Sequence, residues 1–191
     1  MSRNQKIVVF IASLVLLSCC ACGLITFVVI PRLYENTIAG AADPAKAKEV
    51  AKQIADYTLP PTYQETVGMD VLVYKMVVIA RADKQGFIIT LMQFNSSNVS
   101  REEIEQQLRS QSQLQGNISS MQLVGAENTT IKGQTVTLNV LEGDGSRNSN
   151  VRIRQTQGVF QGKNGLVVLM VMGGKTGWDD GLMREFLSSI R

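Results

Sequence analysis

The distribution of apolar and polar positions divides the chain into one long apolar run and a mixed region of shorter patterns. Residues Ile7–Ile30 ("IVVFIASLVLLSCCACGLITFVVI") contain no charged side chain. As a helix rising about 1.5 Å per residue, this run would extend roughly 36 Å, which exceeds a hydrocarbon core of about 30 Å. We therefore predict a transmembrane anchor at residues 7–30, preceded by a short cytoplasmic tail at residues 1–6.

The same apolar run allows two other interpretations. The "LLSC" segment ending at Cys19 is a weak lipobox, so a lipoprotein attached at Cys19, Cys20 or Cys22 is an alternative, and a cleaved signal peptide is another. The chain stays apolar after these cysteines, which favours a retained anchor. Arg3 and Lys6 precede the run and predict a cytoplasmic N-terminus, with the rest of the chain in the periplasm or at the cell exterior.

Apolar periodicity and capping residues predict three helices after a linker at residues 31–42. Asp43 is a suitable N-cap, and Pro44 suits the first helical position. Ser100 and Glu103 form the pattern of a capping box. The predicted helices are Pro44–Asp56, Arg101–Leu114 and Trp178–Ile190.

Six further segments are rich in β-branched residues or alternate between apolar and polar positions, as strands do. They are Val71–Ala82, Phe87–Phe94, Met121–Ile131, Gln134–Glu142, Val151–Phe160 and Leu166–Met172. Turns rich in glycine separate most of them. The sequence therefore predicts one α+β domain at residues 43–191, in which helices flank an antiparallel β-sheet.

The composition excludes several classes of function. The chain has no histidine, and its three cysteines, Cys19, Cys20 and Cys22, all lie in the apolar run. Catalysis by Ser-His-Asp or Cys-His groups and zinc sites with His or Cys ligands are excluded. The net charge of +3 includes Arg3 and Lys6 of the tail, so the domain lacks the basic surface expected for nucleic acid. We predict no catalytic residues, cofactor or metal; an enzyme using carboxylates or lysine alone is an alternative.

The segment "GGKT" imitates the end of a nucleotide-binding loop. Gly174, Lys175 and Thr176 match its last positions, but Leu169 occupies the position of the first glycine, inside a predicted strand. The loop is too short for its backbone N–H groups to surround a phosphate. We interpret it as a turn without nucleotide, with Thr176 as a helix cap and Asp179–Asp180 in the first helical turn.

The order of short motifs resembles the PsbP-like superfamily, named for an extrinsic subunit of photosystem II. The domain opens with "LPPTY" (Leu59–Tyr63), where the family has Leu-Pro-x-Gly-Trp, so that Thr62 replaces glycine and Tyr63 is the aromatic residue. A hairpin, a capped helix and further strands follow, and the last helix ends in "FLSSI" (Phe186–Ile190). The resemblance covers Tyr57 to Arg191. It implies an α/β/α sandwich and accessory, assembly or binding roles rather than catalysis.

One polar surface is the candidate partner-binding face. If two predicted strands pair as a hairpin, five polar side chains can share a face: Thr135, Thr137, Asn139, Arg152 and Arg154. We predict a single-pass, membrane-anchored extracytoplasmic accessory or binding module that engages another envelope protein. The alternative is a structural protein that assembles through its membrane span.

Overall fold

The computed structural model describes residues 43–83, 86–95, 100–115, 121–144 and 152–191, without the side chains of 109–115. These residues belong to one compact unit. Seven strands form its sheet: β1 (Tyr63–Asp70), β2 (Tyr74–Arg81), β3 (Phe87–Phe94), β4 (Gln122–Ile131), β5 (Gln134–Asp144), β6 (Arg152–Gln161) and β7 (Leu166–Gly174). Three α-helices accompany it: α1 (Pro44–Ile54), α2 (Arg101–Gln115) and α3 (Asp180–Ser189). A short 3-10 helix, Lys175–Gly177, precedes α3.

All neighbouring strands are antiparallel, in the order β1-β2-β3-β7-β6-β5-β4. β1 to β3 form one meander and β4 to β7 form a second. The two meanders join along β3 and β7, where Leu91 lies opposite Leu169. As a result, β1 and β4 are the two edge strands of the sheet.

The main core lies on the sheet face that carries α1 and α3. Its members are buried apolar side chains of both helices and of the facing strand positions, among them Val50, Ile54, Phe186, Leu187, Val77, Ile89, Leu138, Phe160 and Leu169. α1 approaches β1 very closely, because a Cβ atom added to Gly68 would lie 2.4 Å from the Cα of Ala47. Only glycine permits this distance between a helix and a strand.

The opposite face carries α2 over a smaller apolar cluster. Ile104 of α2 packs with Val159 of β6 and Val168 of β7, and partly buried side chains including Met92 and Leu108 surround them. The two clusters use alternate positions along the central strands, as the two-residue period of a strand requires. The central positions of β7, Val167–Leu169, are buried, so both faces of this strand are covered.

Capping side chains define the helix starts. Asp43 Oδ1 accepts a hydrogen bond from the Ala45 amide at 2.9 Å. Ser100 and Glu103 form the predicted capping box, in which each side chain accepts a hydrogen bond from the other residue's amide. The prediction that Thr176 caps the last helix is wrong: Asp179 is the N-cap, and its side chain accepts from the Leu182 amide at 2.9 Å.

For the described residues, the fold class predicted from the sequence, an α/β/α sandwich behind a transmembrane helix, is wrong. The described chain is a seven-stranded antiparallel sheet with three helices, in which strand residues outnumber helical residues. None of the helices in the described ranges is long and apolar enough to cross a membrane. The predicted tail, anchor and linker at residues 1–6, 7–30 and 31–42 lie outside the described residues.

The missed strand, β1, has a physical explanation. A β-bulge between Glu65 and Val67 shifts the register, so that the buried residues Tyr63 and Gly68 are not separated by an even number of positions. A bulge destroys the alternation by which a strand is recognised in a sequence. The predicted strand Val71–Ala82 also begins too early, because its first three residues form the turn that connects β1 to β2.

Candidate functional site

The hairpin predicted between β5 and β6 is present. In its antiparallel register, Glu142 lies opposite Arg154 and Asp144 lies opposite Arg152, while Asn139 lies opposite Gln157. Arg152 and Arg154 therefore lie on β6, the strand that pairs with β5. The register of this hairpin sets the direction of each side chain, and the directions decide which of the five predicted residues share one surface.

The register places the five predicted residues on two different faces. Residues directly opposite one another share a face, so Arg152 and Arg154 point to the face of Asp144 and Glu142. That is the face of α1 and α3, which Val136 and Leu138 also occupy. The remaining three predicted residues, Thr135, Thr137 and Asn139, point to the α2 face. The structure therefore does not bring the two arginines together with them.

Arg154 is engaged by other parts of the domain. Its guanidinium carbon lies 5.2 Å from the centre of the Trp178 ring. One of its terminal nitrogens is 3.4 Å from Glu127 of β4 and 3.7 Å from Asp180 at the start of α3. With its side chain only 18% exposed, Arg154 links β6 to β4 and α3. Its role is structural, and its positive charge is paired with carboxylates of the same domain.

Lys175 of "GGKT" also has a partner within the domain. Its Nζ donates a hydrogen bond to Glu142 Oε2 at 2.7 Å. This hydrogen bond lowers the pKa of the Glu142 carboxyl below its usual range, against a smaller opposing effect of desolvation. The adjacent Gly173 lies against Phe87, where a Cβ atom would come within 2.9 Å of the Phe87 Cα. The glycine and lysine of this segment therefore have structural explanations.

The other three predicted residues adjoin an open edge of the sheet. We call residues Gln122–Thr130 of β4 the β4 edge. Thr137 donates a hydrogen bond to Asn128 of this strand at 3.0 Å, and Thr135 beside it is exposed. From Gln122 to Asn128 every residue of the β4 edge is exposed, and only Ile131, at the end of the strand, is buried. The sequence contained a signal for this edge, because Glu127, Asn128, Thr129 and Thr130 place polar side chains on both faces.

A pocket of about 420 Å³ lies beside the end of α1, and no pattern in the sequence indicated it. Its lining includes Lys48, Lys52, Ala51, Ala55, Tyr57, Leu59 and Glu65. The Tyr57 hydroxyl donates a hydrogen bond to Glu65 at 3.3 Å. Burial, and then the Glu65 charge, raise the pKa of Tyr57 well above its usual value. The Tyr57 hydroxyl therefore stays protonated near neutral pH and keeps its hydrogen atom for the bond to Glu65.

Within residues 43–191, as far as the structure describes them, no three His, Cys, Asp or Glu side chains are grouped to hold a metal ion. Comparison with known proteins gives no match, either to a protein-family model or to a curated protein sequence. The function of the chain is therefore inferred from the residues and the geometry described above.

Proposed function

We propose that the chain is an accessory or binding module on the extracytoplasmic side of a membrane. In this proposal the apolar segment at residues 7–30 tethers it, and the β4 edge engages another envelope protein. The observation that carries the proposal is the exposure of the β4 edge along nearly its whole length.

An open edge strand presents unpaired backbone N–H and C=O groups that can pair with a strand of another chain. Many proteins protect such an edge with lysine, proline or a very short strand. The β4 edge contains neither lysine nor proline, and its one charged residue, Glu127, already pairs with Arg154. A bulge between Leu123 and Gly125 interrupts the regular register at one end. The regular part, Ala126–Thr130, is the segment that supports pairing.

The neighbouring polar side chains supply selectivity. In recognition by strand addition, backbone hydrogen bonds give affinity, and side chains at alternate positions select the partner. On the α2 face, Asn128 lies beside Thr137, and Thr135 and Asn139 continue the same polar row along β5. Three of the five residues predicted from the sequence therefore remain part of the proposed surface, and the two arginines do not.

A photo-crosslinking experiment in cells tests this surface. A benzoylphenylalanine at Ala126 of the full-length protein should produce one discrete crosslinked product with a partner protein. The same residue at Gln64, an exposed position on the other edge strand, is the matched control. Adding Thr130→Lys to the Ala126 reporter should reduce the product at least fivefold, because a lysine on an edge strand opposes strand addition.

Two outcomes would contradict the proposal. Equal products from Ala126 and Gln64 would show that the β4 edge has no preferred partner. If residues 1–42 alone recover the same partner as the full-length chain, the alternative of assembly through the membrane span is favoured instead.

A further inference from the structure

The turn between β1 and β2 exposes two large aliphatic side chains to solvent. We call residues Val71–Val73 the apolar tip. Leu72 is 96% exposed and Val73 is 63% exposed, more than any other large apolar side chain in the described residues. Exposed aliphatic residues are common singly, but two adjacent ones in the turn of a hairpin suggest contact with an apolar environment.

The apolar tip has a defined conformation. The Val71 amide donates to the Tyr74 carbonyl at 3.0 Å, which closes the turn. The side-chain amide of Asn95 donates to the carbonyls of Val71 and Leu72 at 3.1 and 3.3 Å, and the Asn95 backbone amide donates to Val73 at 3.0 Å. Because these bonds already order the backbone, a binding partner would meet a largely preformed surface, with less entropy to lose.

The apolar tip lies near the point where the chain enters the described domain. α1 contacts β1 where Ala47 meets Gly68. Asp43 precedes Ala47 by about one helical turn, and Leu72 follows Gly68 by a few extended residues. From the rise of a helix and a strand, the tip therefore lies within roughly 25 Å of Asp43. The predicted linker at residues 31–42 is the segment that joins Asp43 to the predicted anchor.

We propose that the apolar tip inserts into the surface of the membrane that residues 7–30 tether, which gives the domain a second attachment. This inference rests on the tether of the proposed function. The tether keeps the tip at a high effective concentration near the bilayer, so weak insertion of two side chains is sufficient. A protein partner would need a far larger contact than two exposed residues provide, of about 800 Å² on each side.

The charges near the tip indicate which lipid chemistry it recognises. Lys75 at its base pairs with Asp70, so this cation is already neutralised by a neighbour. The contact is therefore hydrophobic and does not require anionic headgroups or low salt. Since β1 and β4 are opposite edges of the sheet, insertion at the β1–β2 turn also leaves the β4 edge accessible to a protein partner.

Spin labelling of the full-length protein in phosphatidylcholine vesicles tests the insertion. Cys19, Cys20 and Cys22 are first changed to serine, and a nitroxide is then attached to Val73→Cys, which leaves Leu72 in place. The matched control is a nitroxide at Val124→Cys, a valine of similar exposure, 55%, on the β4 edge. Collision with a water-soluble nickel chelate should be at least threefold lower at position 73 than at position 124.

A second variant and a flotation assay separate the possible failures. Adding Leu72→Ser to the position 73 reporter should raise its collision rate with the nickel chelate towards that of the control. If the protein floats with the vesicles but positions 73 and 124 are equally accessible, the tip inference alone is overturned. If the protein does not float, the tether is wrong, and the tip inference is overturned with it.

Discussion

Replacement of Gly68 by alanine tests how α1 is attached to the sheet. A Cβ atom at this position would lie 2.4 Å from the Cα, 2.9 Å from the amide nitrogen and 3.2 Å from the Cβ of Ala47. The two nearest atoms belong to the backbone, so no side-chain rotation can relieve the overlap. Gly68 is not among the glycines with positive φ, and the substitution is therefore expected to act through space alone.

The cost follows from the displacement that the alanine would require. Carbon atoms prefer separations of about 3.5–4.0 Å, so α1 would have to move outward by roughly 1 Å, and a gap of that size forfeits a quarter to a half of each affected contact. α1 buries Val50, Ala51 and Ile54 almost completely. Full burial of a valine or isoleucine contributes about 1.5–3 kcal/mol. Gly68→Ala should therefore lower the free energy of unfolding by about 1–3 kcal/mol, the range known for overpacking.

Urea denaturation of the full-length protein in detergent, followed by Trp178 fluorescence, measures the effect. The matched control is Gly125→Ala, a strand glycine with no atom within 4 Å of the added Cβ, which should change stability by less than about 1 kcal/mol. Adding Ala47→Gly should not restore stability to Gly68→Ala, because the closest atom is the Ala47 Cα. If Gly68→Ala unfolds at the same urea concentration as Gly125→Ala, the close packing of α1 on β1 is refuted.

Three further predictions concern charged or titrating groups. Lys175→Ala should change stability at neutral pH by less than about 1 kcal/mol, raise the pKa of Glu142 towards its usual value in an NMR titration, and leave the melting temperature insensitive to added ATP. Because the pKa of Tyr57 is raised in the folded state, the contribution of its protonated hydroxyl to the free energy of unfolding is complete below about pH 10 and is lost at higher pH. Tyr57→Phe should therefore weaken the loss of stability at alkaline pH, measured by urea denaturation between pH 8 and 11. Arg154→Glu should lower the free energy of unfolding by about 2–4 kcal/mol in the same urea assay, because it places a third carboxylate beside those of Glu127 and Asp180. Arg152→Glu, at an exposed position, should lower it by less than about 1 kcal/mol. Equal losses for the two variants would contradict the different roles of the two arginines.

Local patterns in the sequence were sufficient for most of the regular elements in the described domain. The capping box at Ser100 and Glu103 and the Asp43–Pro44 start of α1 are local interactions, and the structure contains both. β4 to β7 also correspond to predicted strands, because glycine-containing turns separate them. β1 was missed because its bulge removes the alternation, and the turn at Val71–Val73 was merged with β2 because its residues are apolar.

The fold class and the surface required information that is not local. The sheet order, in which β3 pairs with β7, depends on contacts between distant segments. The candidate face depended on which positions of β5 and β6 are opposite one another, and a change of one position moves a side chain to the other face. Arg154 also contacts Trp178 and Asp180, which follow β7 in the sequence. No pattern within the hairpin could have indicated that this arginine was already engaged.

The arrangement of the sheet as two meanders has a consequence for how the chain folds. Within each meander every strand pairs with its neighbour in the sequence, so these hairpins close short loops. The seam between β3 and β7 joins residues near position 90 to residues near position 170. The entropic cost of closing this long loop is larger than the cost of closing a hairpin. We expect the hairpins to form early and the β3–β7 seam to form in the rate-limiting step, in line with the slow folding of non-local sheets. Substitutions at Leu91 or Leu169 should then slow folding more than equally destabilising ones at the two edges of the sheet.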